Sequence, residues 1–393
     1  MSPLRMAVVG VAIAAATWTT SAALRSDHAA ALASVTVHDS LSPGPDSARV
    51  ATLLASLGSG DALVCDLLAE QIGNFWWSGD DDGPGQFGDA KKQLTAARDS
   101  LHGSITHAGT LRLLTTALAN DDPCVRKVAA KLLGRSRIET AKLSALLSDP
   151  SPRVREAAAY ALASGEHRDA RTALETLLRT GGTDEAAMAA WTLGEAEDSA
   201  AVPALVRATR APAARVRLAA VSALGEIKDE RSLADLERAL KSDADAAVRA
   251  RAAHSIGEIG SLRSLDVLGA AIGDAASTVR YAAVKAIGEL DEIEHPPAAL
   301  VQAARSSDPK LQRLAAMALA DIHDPASLDA LIALAAMDDR EVRMKVSEAL
   351  GSIGSARASG ALMRLLKDAD AEVRRAAAEA LGQISENGNS EPR

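Results

Sequence analysis

The chain has 393 residues, of which 48% are hydrophobic and only 2% are aromatic, and its formal net charge is −9. An interior of Ala and Leu with so few aromatic rings argues against ordinary compact globular domains and indicates closely packed helices. The acidic balance disfavours nonspecific nucleic-acid binding, because there is no surplus of Lys and Arg to replace phosphate counterions.

The first residues have the pattern of an export signal. Arg5 supplies positive charge, residues 6–17 form an uncharged apolar run, and residues 20–23 offer small side chains for cleavage. The alternative is an uncleaved anchor, since the run could extend to Leu24, at about the minimum length for a membrane span. The pattern predicts a signal peptide over 1–23 and a secreted or periplasmic protein, with membrane contact only if the signal stays uncleaved.

Two segments separate this signal from the rest of the chain. Residues 24–45 have no periodicity and predict a flexible linker, and residues 46–106 predict a divergent helical cap with an acidic, Gly-rich loop. In that loop Asp80, Asp81 and Asp82 suggest a calcium site. Their spacing does not match an EF-hand loop, so a solvated acidic loop is the favoured interpretation.

The chain has only two cysteines, Cys65 and Cys124. In an oxidising compartment they could pair and tie the cap to the first of the helices that follow. Two small buried thiols would explain them equally well, so the sequence leaves the disulfide open. Two cysteines this far apart cannot build a metal framework.

From about residue 107 the sequence repeats itself with a period of about 31 residues. A Val-Arg pair marks seven copies, and Leu311-Gln312 and Glu185-Ala186 occupy the two remaining places. The seven pairs begin at Val125, Val154, Val216, Val248, Val279, Val342 and Val373. In every copy a small residue, Gly or Ala, follows nine positions after the first member of the pair. This fixed spacing predicts nine copies of one structural unit.

Each copy predicts two helices. The second helix starts with a capping residue, in three copies followed by Pro, and then shows apolar residues at helical spacing. The predicted caps are Asp122, Ser151, Asp245, Asp308, Asp339 and Asp370. Neither helix buries its apolar face alone, so stacked neighbours must supply the core. The repeats are expected over 107–385, followed by a disordered polar tail at 386–393.

These residues also carry a family resemblance. The segments DPCVRKVAAKLLG, DAAVRARAAHSIGEIG and DAEVRRAAAEALGQI resemble the short HEAT-like repeats of the phycobilin-lyase type. The resemblance implies an all-α fold, a right-handed α-solenoid of about nine two-helix HEAT-like repeats with a divergent N-terminal helical cap. It also implies a concave face that is lined by the second helices and usually holds another protein.

The second helices contain a candidate binding face. We call the first residue of the Val-Arg pair, or of the pair that takes its place, the signature residue. Positions two, six and ten after the signature residue lie one turn apart and outside the apolar stripe. They carry aromatic, Met and acidic side chains of the kind found in interaction hot spots. The predicted partner-binding residues are Tyr160, Trp191, Leu218, His254, Tyr281, Met317, Met344, Glu195, Glu226, Glu258 and Glu289. They suit a protein or peptide that has basic and apolar side chains. Alternatively, Tyr160 and Trp191 pack into Ala-rich gaps and the glutamates are solvated or paired.

The Arg of the Val-Arg pair also recurs, and a structural role is the favoured interpretation. A regular Arg beside the cap-position Asp residues can pair between adjacent repeats and neutralise helix ends. An anion-binding role would require these side chains to be unpaired.

The sequence contains no nucleophile elbow, phosphate loop or dinucleotide-binding turn. Its eight histidines are scattered. Deoxyhypusine hydroxylase, which is built on HEAT-like repeats, binds iron through His-Glu pairs that do not recur here. We therefore expect a non-catalytic protein-binding scaffold without metal or cofactor. Two alternatives stay open: an enzyme or enzyme subunit related to phycobilin lyases or HEAT-repeat hydroxylases, which rests on fold analogy alone, and a regulatory or chaperone-like subunit of an envelope complex.

Overall fold

The structure is a computed structural model of the chain, and it describes residues 47–57, 105–136, 138–163 and 168–389. The regular elements in these ranges are all helical, which confirms the predicted all-α fold. The signal peptide, the linker, the acidic loop and Cys65 lie outside the described residues, so their assignments stay predictions. No helix in the described ranges is long and apolar enough to cross a membrane.

Within the described residues one N-terminal helix, α1 (Ser47–Leu57), precedes nine two-helix repeats. The first helices of the repeats are α2 (Ala108–Ala117), α4 (Thr140–Leu146), α6 (Arg171–Thr180), α8 (Val202–Ala208), α10 (Leu233–Ser242), α12 (Leu265–Ala271), α14 (Ala298–Ala303), α16 (Leu328–Leu334) and α18 (Ser359–Leu365). The second helices are α3 (Pro123–Gly134), α5 (Pro152–Ala163), α7 (Thr183–Glu195), α9 (Ala214–Ile227), α11 (Ala246–Ile259), α13 (Ser277–Gly288), α15 (Pro309–Ile322), α17 (Arg340–Ile353) and α19 (Ala371–Asn389).

The described residues up to Ala196 form one compact unit that holds the first three repeats. Helix α1 packs against α2 and α3, so the described part of the predicted cap covers the first repeat. The second helices α3, α5 and α7 contact one another in chain order. Leu133 and Ala158, on two of these helices, are fully buried, because stacking closes the apolar stripe that one helix leaves open.

Residues from Glu197 onwards form a second unit with the remaining six repeats. Each first helix packs on its own second helix, and α9, α11, α13, α15, α17 and α19 each contact the next in the series. The residue eight positions after the signature, such as Leu224, Ile256 or Leu319, is fully buried in these contacts. This unit therefore presents a row of adjacent second helices.

Aspartate side chains begin several second helices, as the sequence predicted. Asp122 accepts a hydrogen bond from the Cys124 amide at 2.7 Å, and Asp339 accepts from the amides of Glu341 and Val342 at 2.9 and 3.1 Å. These bonds satisfy amides that have no partner inside the first helical turn. These caps fix where the second helices that carry them begin.

The repeated Arg holds the turn of its own repeat and an acid of the next one. Arg217 donates through Nη1 to the carbonyls of Ala211 and Pro212, at 3.0 and 2.9 Å. Its Nε and Nη2 donate to both carboxylate oxygens of Asp243, at 2.7 and 2.8 Å. The planar guanidinium suits this double task, because its donors point along two edges at once. The predicted structural role is confirmed for this residue.

The same arrangement recurs at Arg249 with Asp274 and at Arg343 with Asp368. The hydrogen bonds from the two arginines hold the pKa of each aspartate below its usual value. The prediction that the cap-position aspartates are the partners was wrong for these pairs. The partner lies two residues before the N-cap position of the next second helix, as Asp368 precedes the cap Asp370 and Asp274 precedes Ala276.

The last helix, α19, extends to Asn389, so the predicted disordered tail was wrong for residues 386–389. Ile384 is buried on this helix, and the residues that follow include no proline before position 392. Without such a breaker the helix continues past its last buried side chain.

Candidate partner-binding face

Several predicted site residues lie together in the unit that begins at Glu197. We call them the second-helix face: Leu218, Glu226, His254, Glu258, Tyr281, Glu289, Met317 and Met344. These side chains are all partly or fully accessible. Seven of them come from five consecutive second helices, α9 to α17, and Glu289 directly follows α13. The face combines apolar groups with carboxylates on adjacent helices that contact one another.

The small residue at position nine and the acid at position ten act together across neighbouring repeats. A Cβ atom added at Gly257 would stand 2.6 Å from Oε2 of Glu289 and 2.9 Å from the Cα of Ala286. A Cβ atom added at Gly225 would likewise collide with the carboxylate of Glu258. Glycine therefore allows each glutamate to lie against the preceding second helix. Glu258 and Glu289 are therefore held against the neighbouring helix, and together with Glu226 we call these carboxylates the acidic row.

This packing changes the charge of Glu258. Burial, together with the nearby Glu226 carboxylate, raises the pKa of Glu258 to about 7, although Arg251 and Lys228 act in the opposite direction. His254 lies beside it, with Nε2 3.6 Å from Oε1 of Glu258, and burial lowers the pKa of this imidazole. At neutral pH the middle of the acidic row is therefore only partly ionised.

Tyr281 is accessible, but it also supports the next repeat. Its hydroxyl donates to Oδ2 of Asp308 at 2.7 Å, and Asp308 caps the next second helix through the amides of Lys310 and Leu311. The Lys310 ammonium lies 5.0 Å from the centre of the Tyr281 ring, a cation–π distance. The ring is therefore fixed in place on the second-helix face.

In the unit that ends at Ala196 two predicted anchors are core residues. Tyr160 and Trp191 are only 7% and 5% exposed, and their rings stack with centroids 5.6 Å apart. Lys131, from the same column of the repeat, is 3% exposed and places its ammonium 5.7 Å from the Tyr160 ring. These large side chains fill space that Ala-rich helices leave open, which was the alternative interpretation. Glu195, at the end of α7, is exposed.

Two features were not predicted from the sequence. The burial of Lys131 has no local signal, because a lysine in a polar column normally predicts a solvated side chain. The acids that pair with the repeated Arg did leave a signal, a D-x-D pattern at Asp243-Ala-Asp245 and Asp368-Ala-Asp370.

A calcium site and a disulfide were the other candidate sites in the sequence. Within the described ranges, no group of three or more His, Cys, Asp or Glu residues is placed to hold a metal ion. The pairing of Cys65 with Cys124 stays a prediction, because Cys65 is not among the described residues.

Comparison with known proteins gives a family match for most of the repeat region. The sequence profile of HEAT repeats matches residues 110–187, 183–256, 238–300 and 297–382. The chain matches no curated protein sequence.

Solved structures with a similar fold include importin beta, with 16% identity, a TM-score of 0.53, and coverage of 90% of this chain and 55% of importin beta. The YibA protein of Escherichia coli has 18% identity and a TM-score of 0.50, over 68% of this chain and 97% of YibA. The CpcE–CpcF complex of phycocyanin lyase from Nostoc sp. PCC7120 has 19% identity and a TM-score of 0.37, over 68% of this chain and 97% of the matched chain. At these identities the likeness concerns the fold alone.

Proposed function

This chain belongs to the HEAT-repeat family, and on that premise we propose that it is a non-catalytic scaffold that binds a partner protein or peptide on the second-helix face. The observation that carries the proposal is the combination of accessible apolar side chains and a row of carboxylates on adjacent helices that contact one another. Partly accessible Leu and Met side chains on a rigid support are suited to be anchors, because little conformational entropy is lost in the support when a partner binds.

The chemistry of the face indicates the chemistry of the partner. Glu226 and Glu289 are exposed carboxylates, and Leu218 and Met317 offer apolar contact nearby. A segment that carries Lys or Arg next to Leu-like side chains would satisfy both groups. The acidic row would attract this segment at long range, while the apolar contacts would hold it.

The binding test uses two synthetic peptides of equal length, one alternating Lys and Leu and the other alternating Glu and Leu. Isothermal titration of the full chain should show binding of the Lys-Leu peptide only, weakening as salt is raised. Leu218→Ala combined with Met317→Ala should weaken this binding about tenfold, which corresponds to about 1.4 kcal/mol.

Met363→Ala is the matched control, because Met363 is the most exposed large apolar residue of the described chain and lies on a first helix, α18. This variant should bind as the native chain does. Equal binding of the two peptides, or unchanged binding by the double variant, would contradict the proposal.

We also propose that the protein works outside the cytoplasm, since the N-terminal pattern is that of an export signal. Intact-mass measurement of the protein from the envelope and soluble fractions tests this. A chain that lacks residues 1–23, recovered outside the cytoplasm, is the expected result. A cytoplasmic chain that keeps Arg5 and the apolar run would contradict it.

A further inference from the structure

The last described repeat exposes residues whose counterparts in the other repeats are buried. In most of the earlier repeats, an apolar or small residue at the end of the first helix or directly after it, seven or eight positions before the first residue of the Val-Arg pair, is buried. These residues are Leu118, Leu147, Thr209, Leu240, Ile272, Ala304 and Ala335. The corresponding residue of the last repeat, Leu366, is 39% exposed. In the earlier repeats the next repeat along the chain is available to pack over this position.

Helix α19 shows the same change along its length. Ala378 is exposed, whereas its counterparts Ala253 and Ala316 are fully buried. Leu381 is partly exposed, although the residue at this position is fully buried in most other repeats. A Cβ atom added at Gly382 would meet nothing within 4 Å, but one added at Gly351 would stand 2.5 Å from Oε1 of Gln383.

Arg374 lies on the same exposed side of the last described repeat. Its Nη1 donates to the carbonyls of Asp368 and Ala369 at 2.7 and 2.9 Å, as the other signature arginines do within their own repeats. The opposite edge, which Arg343 uses to bind Asp368, has no carboxylate partner among the described residues. A half-buried guanidinium edge of this kind favours an acid from outside the repeat.

We propose that this terminal face, formed by Leu366, Arg374, Ala378, Leu381 and Gly382, pairs with the same face of a second copy of the chain. The pairing is isologous, with α19 antiparallel to its copy across a two-fold axis, the commonest symmetry of soluble homo-oligomers. This inference does not depend on the proposed function, because it concerns a different surface.

Charge and size complementarity support a second copy as the occupant. A two-fold axis beside Ala380 puts Arg374 opposite Glu386 of the partner subunit, since each lies six residues from the axis. Glu386 is exposed and therefore available for this contact. The same axis puts Ala378 opposite Gly382 of the partner subunit, so two small residues allow the helix backbones to approach closely. Head-to-tail stacking onto the first repeat is disfavoured, because α1 already packs there.

Sedimentation of the full chain over about 1–100 µM tests the proposal, a range chosen for an interface of modest size. The native chain should sediment as a dimer at the top of this range, and Gly382→Trp should sediment as a monomer. The open space around Gly382 allows the indole within one copy, so the circular dichroism and the melting temperature of this variant should not fall.

Gly360→Trp is the matched control. A Cβ atom at Gly360 also meets nothing within 4 Å, and the corresponding residues Ala234 and Asp329 are exposed in their repeats. This variant should stay dimeric. A native chain that is monomeric throughout the concentration range, or a dimer that Gly382→Trp leaves intact, would overturn the proposal.

A charge exchange tests the antiparallel arrangement itself. Glu386→Arg and Arg374→Glu should each weaken the homodimer by more than about tenfold, because either substitution turns both symmetry-related charge pairs into like-charge contacts. An equimolar mixture of the two variants should dimerise again, because each copy then faces a residue of opposite charge at both ends. If the mixture remains as monomeric as its components, the antiparallel pairing is wrong.

Discussion

The two units carry the same columns on their second helices and place them in different surroundings. At the sixth position after the signature, Lys131, Tyr160 and Trp191 are buried in the first unit, whereas His254 and Met317 in the second unit are partly accessible. The helical period decides which side of a helix a residue occupies. The size of the side chain and what surrounds it decide whether this side is core or surface. An aromatic residue in such a column is therefore not by itself a binding anchor.

Truncation of Trp191, whose ring stacks on that of Tyr160, should have the largest effect on stability. Trp191→Ala should lower the free energy of unfolding by about 3–5 kcal/mol, because it leaves a cavity beside Tyr160. Met317→Ala, in the same column but partly accessible, should cost less than about 1 kcal/mol. Urea unfolding followed by circular dichroism measures both. Similar costs for the two variants would show that the burial difference between the units does not hold in solution.

The Arg of the Val-Arg pair should contribute about equally to stability in the two units, unlike the residues at the sixth position. Arg155 pairs with Glu185 in the first unit and Arg217 pairs with Asp243 in the second, and both acids are almost fully buried. Replacing either Arg by Ala leaves a buried carboxylate without its partner and should cost about 3 kcal/mol.

Arg357→Ala is the control for this pair of variants. Arg357 makes an ion pair with Asp329 in which both side chains are more than half exposed, so its loss should change stability by about 0.5 kcal/mol or less. If all three Arg variants unfold at the same urea concentration, the signature Arg does not hold the repeats together.

The sequence was sufficient for the features that depend on local geometry. The period of the Val-Arg pair located the second helices, and the aspartates before them were the caps, since a cap needs only the residues of one turn. Contacts between repeats were harder to predict. The partner of Arg217 lies 26 residues away, and spacing alone did not separate Asp243 from the cap Asp245. The burial of Trp191 depends on packing between repeats, which a column of aligned residues does not contain.

The acidic row shows the same limit for electrostatics. Glu258 occupies a position that the sequence marks as polar, and an ionised carboxylate is the ordinary expectation there. Its pKa is raised because it lies against Gly225 of the preceding second helix, more than thirty residues earlier in the chain. No pattern within one repeat contains this contact.

The smallest expected effect depends on pH. It tests whether Glu258, in the middle of the acidic row, is ionised as its polar position in the sequence would suggest. The ordinary pKa of a glutamate is 4.5, and in the folded chain the pKa of Glu258 is about 7. Between these values the folded state binds more protons than the unfolded state, so the contribution of Glu258 to stability falls as pH rises from about 4.5 to about 7. Glu258→Gln mimics the protonated carboxyl and removes this loss.

At pH 8 Glu258→Gln should therefore be more stable than the native chain by about 1–2 kcal/mol, after allowance for partial exposure to solvent, and near pH 4 the two should be almost equal. Arg251 and Lys228 face the carboxylate and limit the gain, whereas Glu226 increases it. Glu289→Gln, at the same position of the next repeat, should show an effect of the same sign, because burial also raises the pKa of Glu289. A stability gain from Glu258→Gln that is the same at pH 4 and pH 8 would mean that packing against Gly225, and not protonation, sets the energy of this site.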